Sequence, residues 1–544
     1  MQQQMLFDVK CPANMMHIDD AAKELRVSIA TIRNWVKTGY LKEERKKYIT
    51  LSSFEQLKNT VIGKEKLNKR ANKSLKYIHD HSALEKTILD ILDTSSVDAE
   101  SLSDIYEKQL SESYKNTAGV FYTPADIVDK FFMHLPPDRS ELIFCDPCCG
   151  TGNFLLAAAQ HGFKPSNIYG FDIDGIAVNI AKKRLSIFEK EENVNVSQKN
   201  FLQEINKDIC GKFDVIFTNP PWGEKITKQE RKLPKKKKEK KSDSSMLFFF
   251  ACLRALKDDG LLGLLLQDAF FNISSFESAR KEALLYQIKT IIDFGKPFHG
   301  LLTKAKGLVL QKSLARDEHV VNCVTQTSSH KRTWNSFKIN PKSILNISCT
   351  GRDAEVIDHI FSISHDTLKG KAKYGLGIVT GNNKKYCISK DKEGYVPVYK
   401  GSDITKSGLK EASIFIPDDL SLYQQVAPTY LYFAKEKLIY RFISSELVFF
   451  YDQEQRLILN SANMLILDEK FPVSHRQLCA LLNSKLMSWV FIKIFETHKV
   501  LRSDIEYLPV FTDYFKYHAD FEEHFFLNYL QIEEIENGAY RIKK

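Results

Sequence analysis

Residues 141–162 read ELIFCDPCCGTGNFLLAAAQHG: a short apolar run closing on Asp146, a glycine-bearing turn, then a helical apolar pattern. Gly150 and Gly152 let backbone N–H groups approach a ligand closely, at a helix N-terminus that favours negative charge. Working outward, short apolar strands alternate with helices between about Gly119 and Ala315. NIYGFDI reads as a second strand, DGIAVNIAKKRLSIFEK as a helix, FDVIFTN as a strand, MLFFFACLRALKDDG as a helix and LLGLLLQ as a strand. This register predicts an α/β, doubly wound, mostly parallel sheet with ligands at the carboxyl ends of its strands. Many nucleotide folds carry a similar turn, so the turn alone does not name a ligand.

Asp172 ends the second strand, 26 residues after Asp146. An acid there is placed to accept the two ribose hydroxyls of an adenosine-type cofactor. A Walker lysine is absent and the turn departs from GxGxxG, which weighs against nucleotide hydrolysis and a nicotinamide dinucleotide. The third strand stops at FDVIFTNPPWG, residues 213–223. The side-chain carbonyl of Asn219 and a backbone carbonyl fixed by Pro220 and Pro221 can accept both hydrogens of an exocyclic amine, which aims the nitrogen lone pair for attack. Trp222 supplies a flat face on which a planar base can stack. Each piece has a plainer reading: Asn-Pro-Pro as a turn breaker, Trp222 as core, Asp172 as a helix cap. Their occurrence in this order on successive strands favours the chemical reading.

At 544 residues the chain holds about three or four domains. With 43% hydrophobic and 27% charged residues it has a globular composition. The longest apolar run, GLLGLLLQDAFF, is interrupted by Asp268, and MQQQMLFDVK lacks the basic and apolar parts of a secretory signal. A cytoplasmic protein without membrane partners is expected. Ten scattered cysteines suggest free thiols. Cys145, Cys148 and Cys149 form a CxxCC cluster, but no second pair follows at finger-like spacing, so no metal is expected. The net charge of +10 is concentrated: residues 225–241 hold ten Lys/Arg against two Glu, with Lys235, Lys236, Lys237 and Lys238 in a row. Such a cluster needs either solvent and disorder or a polyanionic partner.

Residues 1–60 predict a winged helix-turn-helix-like DNA-binding unit. Asp19 and Asp20 start a helix carrying Ala21, Ala22 and Leu25; Ser28 caps a second that ends at Gly39; YLKEERKKYIT makes a basic hairpin wing. Ile32, Trp35 and Val36 face inward, leaving Thr31, Arg33, Asn34 and Lys37 for phosphates and base edges. A small cap that merely packs would use the same apolar spacing. Residues 61–81 read as a basic linker, 82–118 as a helical lead-in, 119–330 as the catalytic domain and 331–544 as a mixed α+β domain. In the last, basic and aromatic residues interleave and RQLCALLNSKLMSWVFIKIF reads as one helix.

Residues 119–315 resemble the gamma-class, TaqI-like N6-adenine DNA methyltransferases of restriction–modification systems, which use S-adenosylmethionine. GVFYTP, DPCCGTGNFL, GFDID, NFL and NPPW stand in that family's order. The resemblance implies a Rossmann-like fold in which Tyr122, Thr123, Pro124, Asp146, Cys148 and Gly150 hold the methionine part of the cofactor and Asp172 its ribose. Asn200 stands where the family usually has an aspartate against the cofactor's adenine amino group, with Phe201 beside it. It further implies a flipped adenine stacked between Trp222 and a second aromatic, best matched by Phe298 with Phe294 as the weaker rival, its N6 hydrogens held by Asn219 and the Pro220 carbonyl. LGIVTGNNKKY, YKGSDI and ALLNSKL resemble the target-recognition domain of such enzymes, which makes double-stranded DNA the partner. No nuclease constellation is visible, so the resemblance implies a separate cognate restriction endonuclease, with this chain acting as a monomer. The helix-turn-helix is an addition that either adds DNA contacts or regulates the system's genes. Two other readings stay open: a methyltransferase acting on a glutamine side chain or an RNA base, and a transcription regulator.

Overall fold

The structure, a computed structural model, describes residues 14–25, 29–37, 41–45, 47–57, 101, 103–106, 123–190, 193–205, 208–223, 243–298 and 303–543. They fall into two compact units, Met1–Asp268 with Ile292–Ser313, and Ala269–Ile291 with Leu314–Lys544.

The first unit is built on parallel strands. From the edge inward, Asn195–Gln198 pairs with Ile168–Asp172, which pairs with Phe144–Asp146; this strand pairs with Phe213–Thr218, and that with Leu256–Gln267. Ala305–Leu314 adds antiparallel to the last. The chain runs outward from Phe144–Asp146 in one direction, then returns to its other side with Phe213–Thr218. The order therefore reverses beside Asp146, and a crevice at such a reversal is where doubly wound sheets bind ligands.

A cluster of rings holds this sheet against its helices. Phe217 meets Phe132 at 5.1 Å and Phe144 at 5.8 Å between ring centroids, and Phe131 meets Phe154 at 5.6 Å. Helix Ala125–Phe132 contributes Ile127, Val128, Phe131 and Phe132 from one buried face. Gly263 is required where its strand passes these rings, since a Cβ there would lie 2.5 Å from Phe217 and 2.6 Å from Phe131.

One boundary differs from the sequence pattern. The helix expected over MLFFFACLRALKDDG runs only over Ser244–Ala255, and Leu256 already pairs with Phe213. Leu256 is fully buried and drawn into the sheet, whereas Lys257–Gly260 loop out as a bulge before Leu261 pairs with Val215. Asp259 takes φ 61° there, and Lys257 reaches Asp214 at 2.8 Å.

Near the N-terminus, strand Met15–His17 leads into helices Ile18–Glu24 and Ile29–Lys37 and pairs antiparallel with Tyr48–Thr50, which also pairs with Glu43–Arg45, completing a three-stranded sheet. Ile18, Ala21, Leu25, Ile32, Trp35 and Ile49 are among its shared core. The first helix is capped by His17, whose Nδ1 accepts the Asp19 N–H at 3.3 Å, and Asp19 and Asp20 sit in its first turn. Helix Leu51–Gln56, not anticipated, follows the hairpin behind a Thr50 cap. Arg33 is exposed. The side chains of Thr31, Asn34 and Lys37, and Ser28, Gly39, Lys235, Lys236, Lys237 and Lys238, lie outside the described residues.

In the second unit, strands Ala372–Leu376, Ala462–Leu467, Lys437–Arg441 and Phe449–Asp452 form an antiparallel sheet in that order. The single helix expected over RQLCALLNSKLMSWVFIKIF is two helices, His475–Leu482 and Lys485–Phe495, bent by 65°. Asn483 explains the break: its amide accepts the Phe449 N–H at 2.8 Å and donates to the Phe449 carbonyl at 2.9 Å, like a neighbouring strand. Ser484 then caps the second helix by accepting the Met487 N–H at 3.1 Å. Among the described residues no single helix is long and apolar enough to cross a membrane, and the bent pair buries Leu478, Leu481, Met487 and Val490 in this unit's core.

Arg280, fully buried, ties the start of this unit together. Its guanidinium donates to the carbonyls of Phe270 at 2.6 Å, Ile273 at 2.8 Å, Lys342 at 3.0 Å and Ser343 at 3.2 Å. Lys342 and Ser343 take φ 55° and 53°, a left-handed conformation costly for side-chain-bearing residues, and Lys342 is paired with buried Asp504. Burial pushes the guanidinium down to about 10, so it keeps its charge at neutral pH. Arg280→Ala would orphan these carbonyls and is expected to destabilise the chain by about 3 kcal/mol or more, read as a lower denaturant midpoint for the second unit. An unchanged midpoint would show that the clamp is dispensable.

Candidate active site

The strand Phe144–Asp146 delivers Asp146 to the point of reversal. Gly152, at φ 94°, stands before helix Asn153–Gln160, where a Cβ would also come within 3.1 Å of Ala181 Cβ. The turn is sewn to its neighbour by backbone donors. Cys148 N–H donates to Asp146 Oδ1 at 3.0 Å, Cys149 N–H to the Phe171 carbonyl at 2.9 Å and Gly150 N–H to Asp172 Oδ2 at 2.8 Å. Asp172 Oδ1 accepts a further N–H from Asp174 at 2.9 Å. Each carboxylate oxygen of Asp172 thus holds one backbone donor and keeps capacity for another, which matches a pair of adjacent hydroxyls.

Two acids stand close in a dry place. Burial pushes Asp146 up to about 7; the Thr218 hydroxyl and the Cys148 N–H oppose the rise and the charge of Asp172 adds to it. Burial also raises Asp172, against the N–H groups of Asp174 and Gly150. Negative charge held this way is relieved by a cationic ligand or by hydroxyl donors. Burial drives the thiols of Cys145, Cys148 and Cys149 well up, which keeps them protonated.

Asn153 and Arg184, which the sequence reading passed over, join the turn to the segment before it. Asn153 Nδ2 donates to the Thr123 carbonyl at 2.8 Å, and buried Arg184 donates to Asn153 Oδ1 at 2.6 Å and to the Thr151 carbonyl at 2.8 Å. Thr123 is thereby brought to the turn, and Pro124 starts helix Ala125–Phe132; Tyr122 lies outside the described residues. Ile173 was also missed. It is 69% exposed directly after Asp172, an apolar face at the rim of the crevice, and its place after the acid in GFDID was the available signal. Asn200 caps the short helix Phe201–Glu204, its Oδ1 accepting the Leu202 N–H at 3.0 Å. Phe201 is 1% exposed and packs on Phe171 at 5.4 Å, which places it in the core beneath the crevice.

At the end of Phe213–Thr218 the Asn219–Pro220–Pro221–Trp222 turn is held from several sides. Trp222 Nε1–H donates to the Leu265 carbonyl at 3.2 Å, and the Ser244 hydroxyl donates to the Pro221 carbonyl at 2.6 Å. Asp243 accepts the Gly223 N–H at 3.4 Å, caps helix Ser244–Ala255 and takes a hydrogen bond from Gln267 at 3.1 Å. Phe298 does reach Trp222: the centroids are 5.5 Å apart with planes at 73°. Phe294 instead stacks on Phe131. The rings of Trp222 and Phe298 meet edge to face.

Residues 97–366 match the family described as N-6 DNA Methylase, and residues 396–510 match the TaqI-like C-terminal specificity domain. The type II methyltransferase M.VspI of Vibrio sp. (strain 343) is 52% identical over 410 residues, covering 75% of this chain and 100% of that protein. The chain belongs to the N-6 DNA methylases. As a TaqI-like member it is a DNA methyltransferase with a methyltransferase fold and a C-terminal specificity domain. Modification methylase CviBIII of Paramecium bursaria Chlorella virus NC1A is 28% identical over 181 residues, 32% of this chain and 45% of that one. A shorter match, 40% over 73 residues, is to a putative protein N5-glutamine methyltransferase of Methanocaldococcus jannaschii, covering 13% of this methylase and 33% of the relative.

The raised Asp146 has a testable sign. Its folded value near 7 lies above the ordinary carboxylate value near 4, so the folded chain retains a proton that the unfolded chain has released, and stability falls as pH rises between the two. Without ligand, Asp146→Asn is expected to melt progressively later than wild type from about pH 4 to about pH 7, with the gap constant above that. Melting curves that stay parallel across this range would contradict a buried, proton-holding Asp146.

Proposed function

We propose that this DNA methyltransferase moves a methyl group from S-adenosylmethionine to N6 of one adenine flipped out of duplex DNA, protecting the DNA from a cognate restriction endonuclease. The observation that carries this reading is the clamped Asn219–Trp222 turn on the strand next to Asp146. Acceptors for an exocyclic amine and a stacking face thereby sit beside a turn built for a nucleoside. The cofactor, when bound, supplies an activated methyl on a positively charged sulfur. The residues fit such a ligand: Asp172 has capacity for two ribose hydroxyls, Ile173 offers an apolar face, Gly150 allows close backbone approach, and buried Asp146 favours nearby positive charge. Thr123 and Pro124, with Tyr122 and Cys148, hold the methionine end, and Asn200 with Phe201 borders the base of the cofactor.

For the target, Asn219 and the Pro220 carbonyl accept the two N6 hydrogens, drawing the lone pair out of ring conjugation. Pro221 stiffens the turn, and Trp222 and Phe298 stack on the two faces of the adenine. Unstacking costs a few kcal/mol, and aromatic stacking returns about 1–3 kcal/mol. Lys235, Lys236, Lys237 and Lys238 follow Trp222 in the chain and supply phosphate contacts. We assign residues 119–330 to catalysis, 331–544 to target recognition, 82–118 to a helical lead-in and 61–81 to a linker, and read the enzyme as a cytoplasmic monomer.

The match to a glutamine methyltransferase covers only 73 residues, and the C-terminal specificity domain favours DNA over a protein amide. Single-molecule sequencing of plasmid DNA from cells making the wild-type chain is expected to show modified adenines in one fixed motif. Plasmid from cells making Asn219→Ala should lack them, while the purified variant still binds cofactor and transfers methyl at least ~100-fold more slowly. Full modification by that variant would overturn the assignment.

Residues 1–60, with Thr31, Arg33, Asn34 and Lys37 on the second helix, are read as a winged helix-turn-helix that adds DNA contacts or regulates the system's own genes. Deleting them should leave methylation largely intact if the role is regulatory. A large loss of affinity for substrate DNA would instead assign them to the grip.

A further inference from the structure

Two side chains from the segment ahead of the catalytic fold reach the cofactor turn. Residues 103–106 are helical. Ser103, 4% exposed, donates its hydroxyl proton to Thr151 Oγ1 at 2.7 Å. Tyr106, 1% exposed, donates its phenol proton to the Asp174 carboxylate. Neither contact belongs to the motifs that define the site, yet both end on residues that shape it.

Asp174 does three things at once. Its Oδ1 caps helix Gly175–Leu185 through the N–H groups of Ile176 at 3.0 Å and Ala177 at 3.3 Å; its Oδ2 takes the Tyr106 proton; its own N–H holds Asp172 Oδ1 at 2.9 Å. On the far side Gly150 N–H holds Asp172 Oδ2, one residue from the Thr151 that Ser103 holds. Both donors that fix the orientation of the Asp172 carboxylate are therefore backed by the same short segment.

We propose that Tyr106 is a positioning residue for the cofactor, acting through Asp174 to aim the Asp172 carboxylate, with Ser103 steadying the turn through Thr151. The proposal rests on the reading of Asp172 as the acceptor of the ribose hydroxyls. A carboxylate that accepts two hydroxyls must present both oxygens in one plane. A donor that locks the 172–174 peptide removes the rotation that would otherwise be lost on binding. The phenol also spreads the charge of Asp174, which would otherwise bear undiluted on its neighbour Asp172.

Equilibrium binding of S-adenosylmethionine to the full-length chain tests this, with Tyr106→Phe, Asp174→Asn and the double variant. Asn at 174 keeps a capping oxygen, so the helix start survives. Tyr106→Phe is expected to raise the cofactor Kd about 5-fold, the loss of one ordinary hydrogen bond. KM for cofactor should rise in step, while turnover at saturating cofactor changes less than the Kd. The double variant should bind no more weakly than Asp174→Asn alone, because Tyr106 works through that carboxylate. An unchanged Kd in Tyr106→Phe, or effects that multiply in the double variant, would overturn the proposal. Wild-type chain that fails to bind the cofactor would instead defeat the reading of the site on which it rests.

Discussion

The ladder between Phe144–Asp146 and Phe213–Thr218, with Cys145 opposite Ile216, is the constraint on which the catalytic unit depends. Parallel neighbours end at the same edge of a sheet, so whatever follows Asp146 and whatever follows Thr218 must emerge side by side. The glycine turn follows one and the Asn-Pro-Pro-Trp turn the other. A shift of one residue in this pairing would send alternate side chains to the opposite face and separate the buried Asp146 from Thr218. Phe217, whose ring meets Phe132, Phe144 and Phe154, guards that register because its burial fixes which face of the strand looks inward.

The two turns are rigid for different reasons. Around Asp146 and Asp172 the stiffness comes from backbone N–H groups spent on carboxylates, which keeps the crevice polar. Around Asn219 it comes from two prolines and from Asp243, a residue twenty positions beyond Gly223 that ties the turn to the next helix and, through Gln267, to the end of the next strand. Gly223 and Asp243, the described residues on either side of the basic run, are thereby held together by one hydrogen bond.

Much of this was legible in the sequence because apolar periodicity and turn residues specify a doubly wound sheet directly. Asp146, Asp172 and Asn219 fall at strand ends as the pattern requires. What escaped was set by contacts distant in sequence. The end of Ser244–Ala255 depends on Leu256 finding Phe213, and the break at Asn483 on an amide that mimics a strand towards Phe449. Asn153 and Arg184 look in sequence like ordinary helix residues, and only the fold brings them to Thr123 and Thr151. The helical pattern of the lead-in suggests packing, but nothing in LSDIYEKQL says that Tyr106 meets Asp174. Which of Phe298 and Phe294 touches Trp222 likewise needed the path of the chain, since both are aromatic and only four positions apart.

The edge-to-face contact between Trp222 and Phe298 has a consequence for the enzyme at rest. Two large apolar rings standing apart would present a sticky patch to other macromolecules; resting on each other, they are 8% and 7% exposed. Parting them breaks a ring contact worth roughly 0.5–1.5 kcal/mol, a small toll beside the stacking that the proposed flipped base would return.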